Sequence, residues 1–226
     1  MSKNLLLEIG TEEMPANIMS GVVDQLRVLA ENAFGENRIS LKEITVYATP
    51  RRLAVLVKEA ADRQPDEEVK KRGPSIKAAF DEDGNPTRAA QGFARGQHID
   101  PSELIREGEY TWAHVVNEGK KIEDILPSLF TSLITGLNFT RSMRWADEEA
   151  RFIRPIRWIV ALCGSEVVPM EFAHVKSGRI SRGHRFLCKE DVTIESPETY
   201  KETMRKASVI VDQDERRDMI RKGLLA

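Results

Sequence analysis

Residues 4–15 read NLLLEIGTEEMP, and this stretch decides how the chain begins to fold. The apolar run that ends in glycine predicts a buried strand over Asn4–Gly10. Pro15 suits the first turn of a helix, and apolar residues then recur every three or four positions from Ile18 to Ala33. We therefore expect a strand covered by an amphipathic helix.

Beyond this start, the sequence predicts hairpins and single helices in no regular order. Alternation over Glu43–Thr49 and the apolar run Arg52–Val57 predict two strands, joined by a turn that carries Arg51 and Arg52 at its tip. Further strands are predicted over Tyr110–Val116 and 156–162. Without a regular strand-helix alternation, these elements predict an α+β fold of mixed and antiparallel strands with amphipathic helices, in two or three small subdomains.

Two polar stretches are the candidate boundaries between these subdomains. Residues 61–71 have no apolar period, and Asp147–Glu149 are acidic. They predict an N-terminal α+β unit over 1–65, a middle α+β unit over 66–147 and a basic C-terminal α+β unit over 148–226, which suits packing against the first. The apolar residues that follow Met219 suggest a fragment of a longer chain.

Composition places the chain among ordinary globular proteins, with 41% apolar residues, 31% charged residues and a net charge of −2 over 226 residues. No apolar run approaches the roughly 20 residues that span a bilayer, and the start lacks the features of a signal peptide. We expect a cytoplasmic protein with no membrane partner. Two cysteines and four scattered histidines predict neither a disulfide framework nor a metal site.

Signatures of catalysis are absent from the sequence. It contains no P-loop, no dinucleotide-binding glycine motif and no nucleophile elbow. Glu8, Glu12 and Glu13 offer paired carboxylates for acid–base chemistry or Mg²⁺, but glutamates at the mouth of a helix also complement its dipole. We expect no catalytic residue in this chain.

Basic residues are concentrated in one part of the chain. From Arg141 to Arg185 nine basic residues face five acidic ones, a balance of +4, whereas the remaining residues carry −6. Guanidinium groups hold phosphate oxygens bidentately, although the same arginines also suit ion pairs on an ordinary surface. The segment 181–186, SRGHRF, predicts an anion contact or a turn with charged flanks, and 151–158 interleaves arginines with aromatic residues that suit either bases or the core.

Several motifs in order give the chain a resemblance. They are LLLEIGTEEMP (5–15), TPRRLA (49–54), RGP (72–74), QGFAR (91–95), SMRW (142–145), FIRPIRW (152–158), SGR (177–179) and RGHRF (182–186). Together they resemble the N-terminal part of the bacterial heterotetrameric glycyl-tRNA synthetase β subunit. Met14 stands where that family commonly has leucine, a volume-conserving change.

The resemblance implies a non-catalytic part of an α₂β₂ class II enzyme that joins glycine to tRNA with ATP. The family places its active site on the α subunit, so ATP and Mg²⁺ are expected there and no cofactor on this chain. Expected partners are the α subunit, tRNA-Gly and the remaining C-terminal domains of the β subunit. Anticodon recognition belongs to those later domains and is not expected here.

The residues expected to contact tRNA lie in the arginine-rich turns. They are Arg51, Arg52, Arg144, Arg154, Arg157, Arg179, Arg182, His184 and Arg185. An alternative is a structural or intersubunit scaffold with no direct tRNA contact, in which the arginines near Trp158 are buried through ion pairs. A second alternative is an independent enzyme for a small molecule that uses Glu12, Glu13 or His184.

Overall fold

A computed structural model of the chain describes residues 2–145 and 150–225, and its α+β architecture confirms the predicted fold class. Contacts divide the chain into two compact units, one formed by residues up to 64 together with those from 120 onward, the other by 65–119. Residues from 120 onward belong here to the same unit as the N-terminal segment, whereas the sequence predicted separate units over 1–65, 66–147 and 148–226. The expected boundary at Asp147–Glu149 lies outside the described residues.

A mixed seven-stranded sheet forms the centre of the larger unit, in the order β2-β3-β1-β7-β10-β9 with β8 paired to β7. All pairs are antiparallel except β10 with β7. A separate pair is formed by β11 and β12. The strands of this unit are β1 (Ser2–Thr11), β2 (Glu43–Thr49), β3 (Arg52–Ala61), β7 (Ile156–Cys163), β8 (Glu166–Val167), β9 (Glu171–Phe172), β10 (Val175–Gly178), β11 (Ile180–Arg182) and β12 (Asp191–Thr193).

Strand β1 has a core on each of its faces. Leu5, Leu7 and Ile9 belong to the larger apolar core, whereas Leu6 packs in a second core with residues of α5. Successive side chains of a strand point to opposite faces, so Glu8 lies on the side of the second core. The helices of this unit are α1 (Met19–Glu36), α4 (Ile122–Thr135), α5 (Tyr200–Lys206) and α6 (Gln213–Leu225).

Helix α1 follows the predicted period but begins later than Pro15. Val22, Leu26, Ala30 and Phe34 are buried at a spacing of four, which places one face of the helix on the sheet. Residues Ala16–Ile18 instead form a 3₁₀ turn before the helix. The predicted strand and helix of residues 4–33 are thus both present.

The smaller unit is a three-stranded antiparallel sheet, β4-β6-β5, with two short helices. Its small core contains Ala79, Ala90, Ala94, Leu104 and Ala113. Its elements are β4 (Glu67–Ser75), α2 (Ile76–Ala79), α3 (Arg88–Gly96), β5 (Ile105–Glu107) and β6 (Tyr110–Asn117). Part of the polar stretch 61–71, which the sequence offered as a candidate boundary, is therefore in strand β4.

Within residues 2–145 and 150–225, no helix has the length and apolar character needed to cross a membrane.

Candidate nucleic-acid interface

A fully buried carboxylate, Glu8, organises the second core. One of its oxygens accepts hydrogen bonds from Trp158 Nε1, at 2.5 Å, and from the hydroxyl of Ser181. The other accepts from the hydroxyl of Tyr200 and faces Arg52 Nη1 at 3.7 Å. Burial and the Glu8 charge raise the pKa of Tyr200 well above its usual value, so the phenol remains a donor. The sequence had suggested a place for Glu8 at the mouth of a helix, but Glu8 lies within β1.

Arg52 points inward and is part of this buried network. It is 2% exposed, and its Nη2 donates to the carbonyl oxygen of Arg182 at 2.6 Å. Its charge is balanced by Glu8, and it holds the backbone at the end of β11. Of the two arginines at the hairpin tip, Arg52 is therefore buried, and Arg51 is the one that can still contact a ligand.

Trp158 is a core residue around which three guanidinium groups gather. The Cζ atoms of Arg51, Arg52 and Arg182 lie 5.8, 5.7 and 5.3 Å from the centre of its ring. The ring lies over Gly10, where a β-carbon would approach it to 1.9 Å. A glycine in β1 thus allows the indole to lie flat beneath the arginines.

The outer arginines form a pocket that we call the arginine pocket, lined by Arg51, Arg182, Arg185 and Lys189. Its volume is about 280 Å³, and Glu190 and Asp191 also line it. Four cationic side chains, from the β2–β3 turn, the end of β11 and the segment after β11, therefore meet in one small space. Such a cluster is suited to an anion with several oxygens, because each guanidinium offers paired donors.

Arg51 carries no ion pair in the described part of the chain, and its Nε is buried without a hydrogen-bond partner there. Burial and the nearby charge of Arg185 lower the pKa of the Arg51 guanidinium from its ordinary value. A buried donor without an acceptor and positive charges held close together both favour an incoming anion.

The segment 183–185 is held in a defined position beside this pocket. Gly183 is buried, and a β-carbon there would meet the Cys188 side chain at 2.7 Å and the Ala207 carbonyl at 3.0 Å. A glycine at this position therefore allows close packing of the segment against Cys188 and Ala207. His184 Nδ1 faces two backbone N–H donors, and Arg185 pairs with Glu13 at 3.1 Å.

Four other arginines that the sequence predicted to contact tRNA, Arg144, Arg154, Arg157 and Arg179, do not line the arginine pocket. Arg154 donates to the carbonyl oxygens of Glu13 and Ile153, and Arg157 pairs with Glu12 at 3.4 Å. Arg179 is held by Glu195 at 3.4 Å and by the carbonyl of Ser165 at 2.8 Å. Arg144 is exposed. The structure therefore brings together Arg51, Arg182, His184 and Arg185 from the predicted set.

Sequence reasoning did not find the network beneath the pocket. Tyr200 and Ser181 were not singled out, and Glu8 was considered only with Glu12 and Glu13. One signal for Glu8 was present, since a charged residue in the middle of an apolar strand must find buried partners. The three residues that donate hydrogen bonds to Glu8, namely Trp158, Ser181 and Tyr200, lie 150 to 192 positions away along the chain.

Among the side chains that the structure describes, no group of three or more His, Cys, Asp or Glu is arranged to hold a metal ion.

Comparison with known proteins gives consistent matches along the chain. A family model described as "Glycyl-tRNA synthetase beta subunit" matches residues 5–226. Glycine–tRNA ligase beta subunits are similar: that of Desulfitobacterium hafniense is 49% identical over 97% of this chain and 32% of its own length. The subunit of Halothermothrix orenii is 42% identical over 99% of this chain and 33% of its own length. That of Natranaerobius thermophilus is 46% identical over 98% of this chain and 32% of its own length. The chain spans about a third of the length of these relatives.

Proposed function

Because the chain belongs to the glycyl-tRNA synthetase beta subunit family, we propose that it is the tRNA-holding N-terminal part of a glycine–tRNA ligase. In this proposal, the arginine pocket binds phosphates of tRNA-Gly. Glycine activation takes place on a separate α subunit of class II type, which binds ATP and Mg²⁺, in a cytoplasmic α₂β₂ assembly.

The observation that carries the proposal is the convergence of Arg51, Arg182 and Arg185 on one pocket. Arg51 and Arg182 lack ion pairs in the described residues, so they remain available to an external anion. Glu8 accepts a hydrogen bond from Ser181, and Arg52 donates one to the Arg182 carbonyl. These contacts order the backbone beside the pocket before a ligand arrives, which lowers the entropy that binding must cost. Phosphate contacts of this kind hold a nucleic acid in register without reading its sequence.

The scaffold alternative has its own support at other arginines. Arg154, Arg157 and Arg179 are engaged by carbonyl oxygens or carboxylates of the same unit. We propose that these three stabilise the fold or a subunit interface and do not contact RNA.

The test is tRNA-Gly binding by the enzyme with both subunits, comparing Arg182→Glu with wild type at 0.1 M salt. We expect a loss of about tenfold or more, since a charge-assisted contact is replaced by repulsion. The matched control is Arg221→Glu, which makes the same charge change on an exposed residue of α6. Equal affinity for the two variants and wild type would overturn the phosphate assignment.

A further inference from the structure

A second cavity, which we call the nucleotide cleft, adjoins the arginine pocket and shares Arg51 and Arg185 with it. Its volume is about 440 Å³, within the range of small-molecule sites. Pro50, Val209 and Phe186 give it apolar walls. The cleft therefore combines a cationic side with an apolar side. A site that binds only phosphate does not need the apolar side.

Phe186 is the least explained side chain at this cleft. The residue is 76% exposed, and exposed aromatic side chains are costly to leave in water. The imidazole of His184 lies 6.2 Å from it, tilted by 54°. Two flat rings at the edge of a cationic cleft suit a nucleobase, because bases stack on aromatic side chains in sequence-tolerant recognition.

His184 is fixed by its own loop. The backbone N–H groups of Phe186 and Leu187 both lie 3.3 Å from its Nδ1 and donate to it. The Nε2 atom is then the one that carries the proton in the neutral ring, and it can donate to a base or a ribose oxygen. The ring is thus held in place before any ligand arrives.

The charges that line the cleft favour an anionic ligand. Arg51, Arg185 and Arg216 line it together with a single carboxylate among the described residues, Glu13, while Arg52 is neutralised by buried Glu8. Arg216 is used structurally, since it donates to the carbonyl oxygens of Ile210 at 2.7 Å and Ala48 at 3.1 Å, but its charge remains. A phosphate would compete with Glu13 for Arg185.

We infer that this cleft receives one unpaired nucleotide of an RNA, with its base against Phe186 and His184 and its phosphate on Arg51 and Arg185. The inference rests on the proposed tRNA-binding function and specifies a single-stranded segment as the ligand. A base within a duplex is paired and stacked on both sides, so it cannot enter the cleft without first leaving the helix.

The experiment uses the enzyme with both subunits and two labelled probes, a five-nucleotide single-stranded RNA and a blunt RNA duplex. Phe186→Ala is compared with Leu187→Ala, because the Leu187 side chain is also exposed, at 72%, but does not line the cleft. The alanine keeps the backbone N–H that donates to His184. We expect Phe186→Ala to weaken single-strand binding about fivefold or more. Duplex binding by Phe186→Ala, and binding of both probes by Leu187→Ala, should change less than about twofold.

Equal effects of the two substitutions, or equal losses for the two probes, would overturn the inference, as would a wild-type enzyme that does not bind the short RNA. A third variant, Arg185→Glu, separates this result from the proposed function. If it weakens both probes while Phe186→Ala weakens neither, the phosphate site stands and the nucleotide cleft fails. If Phe186→Ala dissociates the subunits and leaves RNA binding intact, the cleft seats protein and the inference also fails.

Discussion

Replacing Glu8 with glutamine should destabilise the larger unit far more than its isosteric shape suggests. The substitution removes the charge that balances buried Arg52, at 3.7 Å, and introduces an NH₂ donor where only donors converge. The hydroxyls of Ser181 and Tyr200 can rotate to accept a hydrogen bond, but the indole and guanidinium groups have no acceptor.

The size of this effect follows from the burial of the pair. Both side chains are almost inaccessible, at 0% for Glu8 and 3% for Arg52, so solvent does not screen the charge that is left. Breaking a buried ion pair by removing one partner costs about 3–5 kcal/mol. Glu12→Gln is the matched control, because the Glu12–Arg157 pair is exposed and contributes about 1 kcal/mol or less.

Hydrogen exchange in the intact protein measures this effect within the unit itself. Amides of β1 and β7 should lose about 3–5 kcal/mol of opening free energy in Glu8→Gln and about 1 kcal/mol or less in Glu12→Gln. The double change Glu8→Leu with Arg52→Met should recover only the part of the loss that comes from the unbalanced Arg52 charge, because the Trp158 N–H then has no acceptor and the Arg182 carbonyl has no donor. A Glu8→Gln protein as stable as the control would refute the buried-pair reasoning.

Three further predictions concern Glu13 and Gly183 at the site and Cys163 in β7. Glu13→Gln should raise tRNA affinity about two- to fivefold by freeing Arg185, and a filter-binding assay that shows weaker binding would contradict this. Gly183→Ala should cost about 1–3 kcal/mol in the free energy of unfolding because its β-carbon meets Cys188; an unchanged denaturation midpoint would be inconsistent with that packing. Burial raises the pKa of Cys163 to about 11, so at pH 8 only about one Cys163 thiol in a thousand is ionised. Peptide mapping after brief alkylation should therefore show Cys188 modified and Cys163 intact, and early modification of Cys163 would argue against its burial.

Strands β1, β2, β3 and β7 of the central sheet and helix α1 were predictable because their signals are local. Apolar residues at a spacing of three to four specify α1, and alternation with a proline turn specifies the β2–β3 hairpin. Strand β4 was missed because six of its nine residues are charged or proline and most are exposed, so it has no apolar period.

The candidate site was only half predictable, for a different reason. Sequence shows that Arg51, Arg52 and Arg182 lie in basic turns, but it does not show which of them point inward. That choice depends on contacts such as the one between Arg52 and the Arg182 carbonyl, 130 positions apart. The inward turn of Arg52 is explained by Glu8, whose partners come together only in the folded sheet.

The most direct test of the account is the salt dependence of tRNA-Gly binding by the enzyme with both subunits. The variant removes three of the four positive charges of the pocket with Arg51→Gln, Arg182→Gln and Arg185→Gln, and wild type is measured alongside. If these side chains hold phosphates, the slope of log affinity against log salt should become shallower by about two to three units. An unchanged slope would contradict the account and would assign the arginines to the protein scaffold.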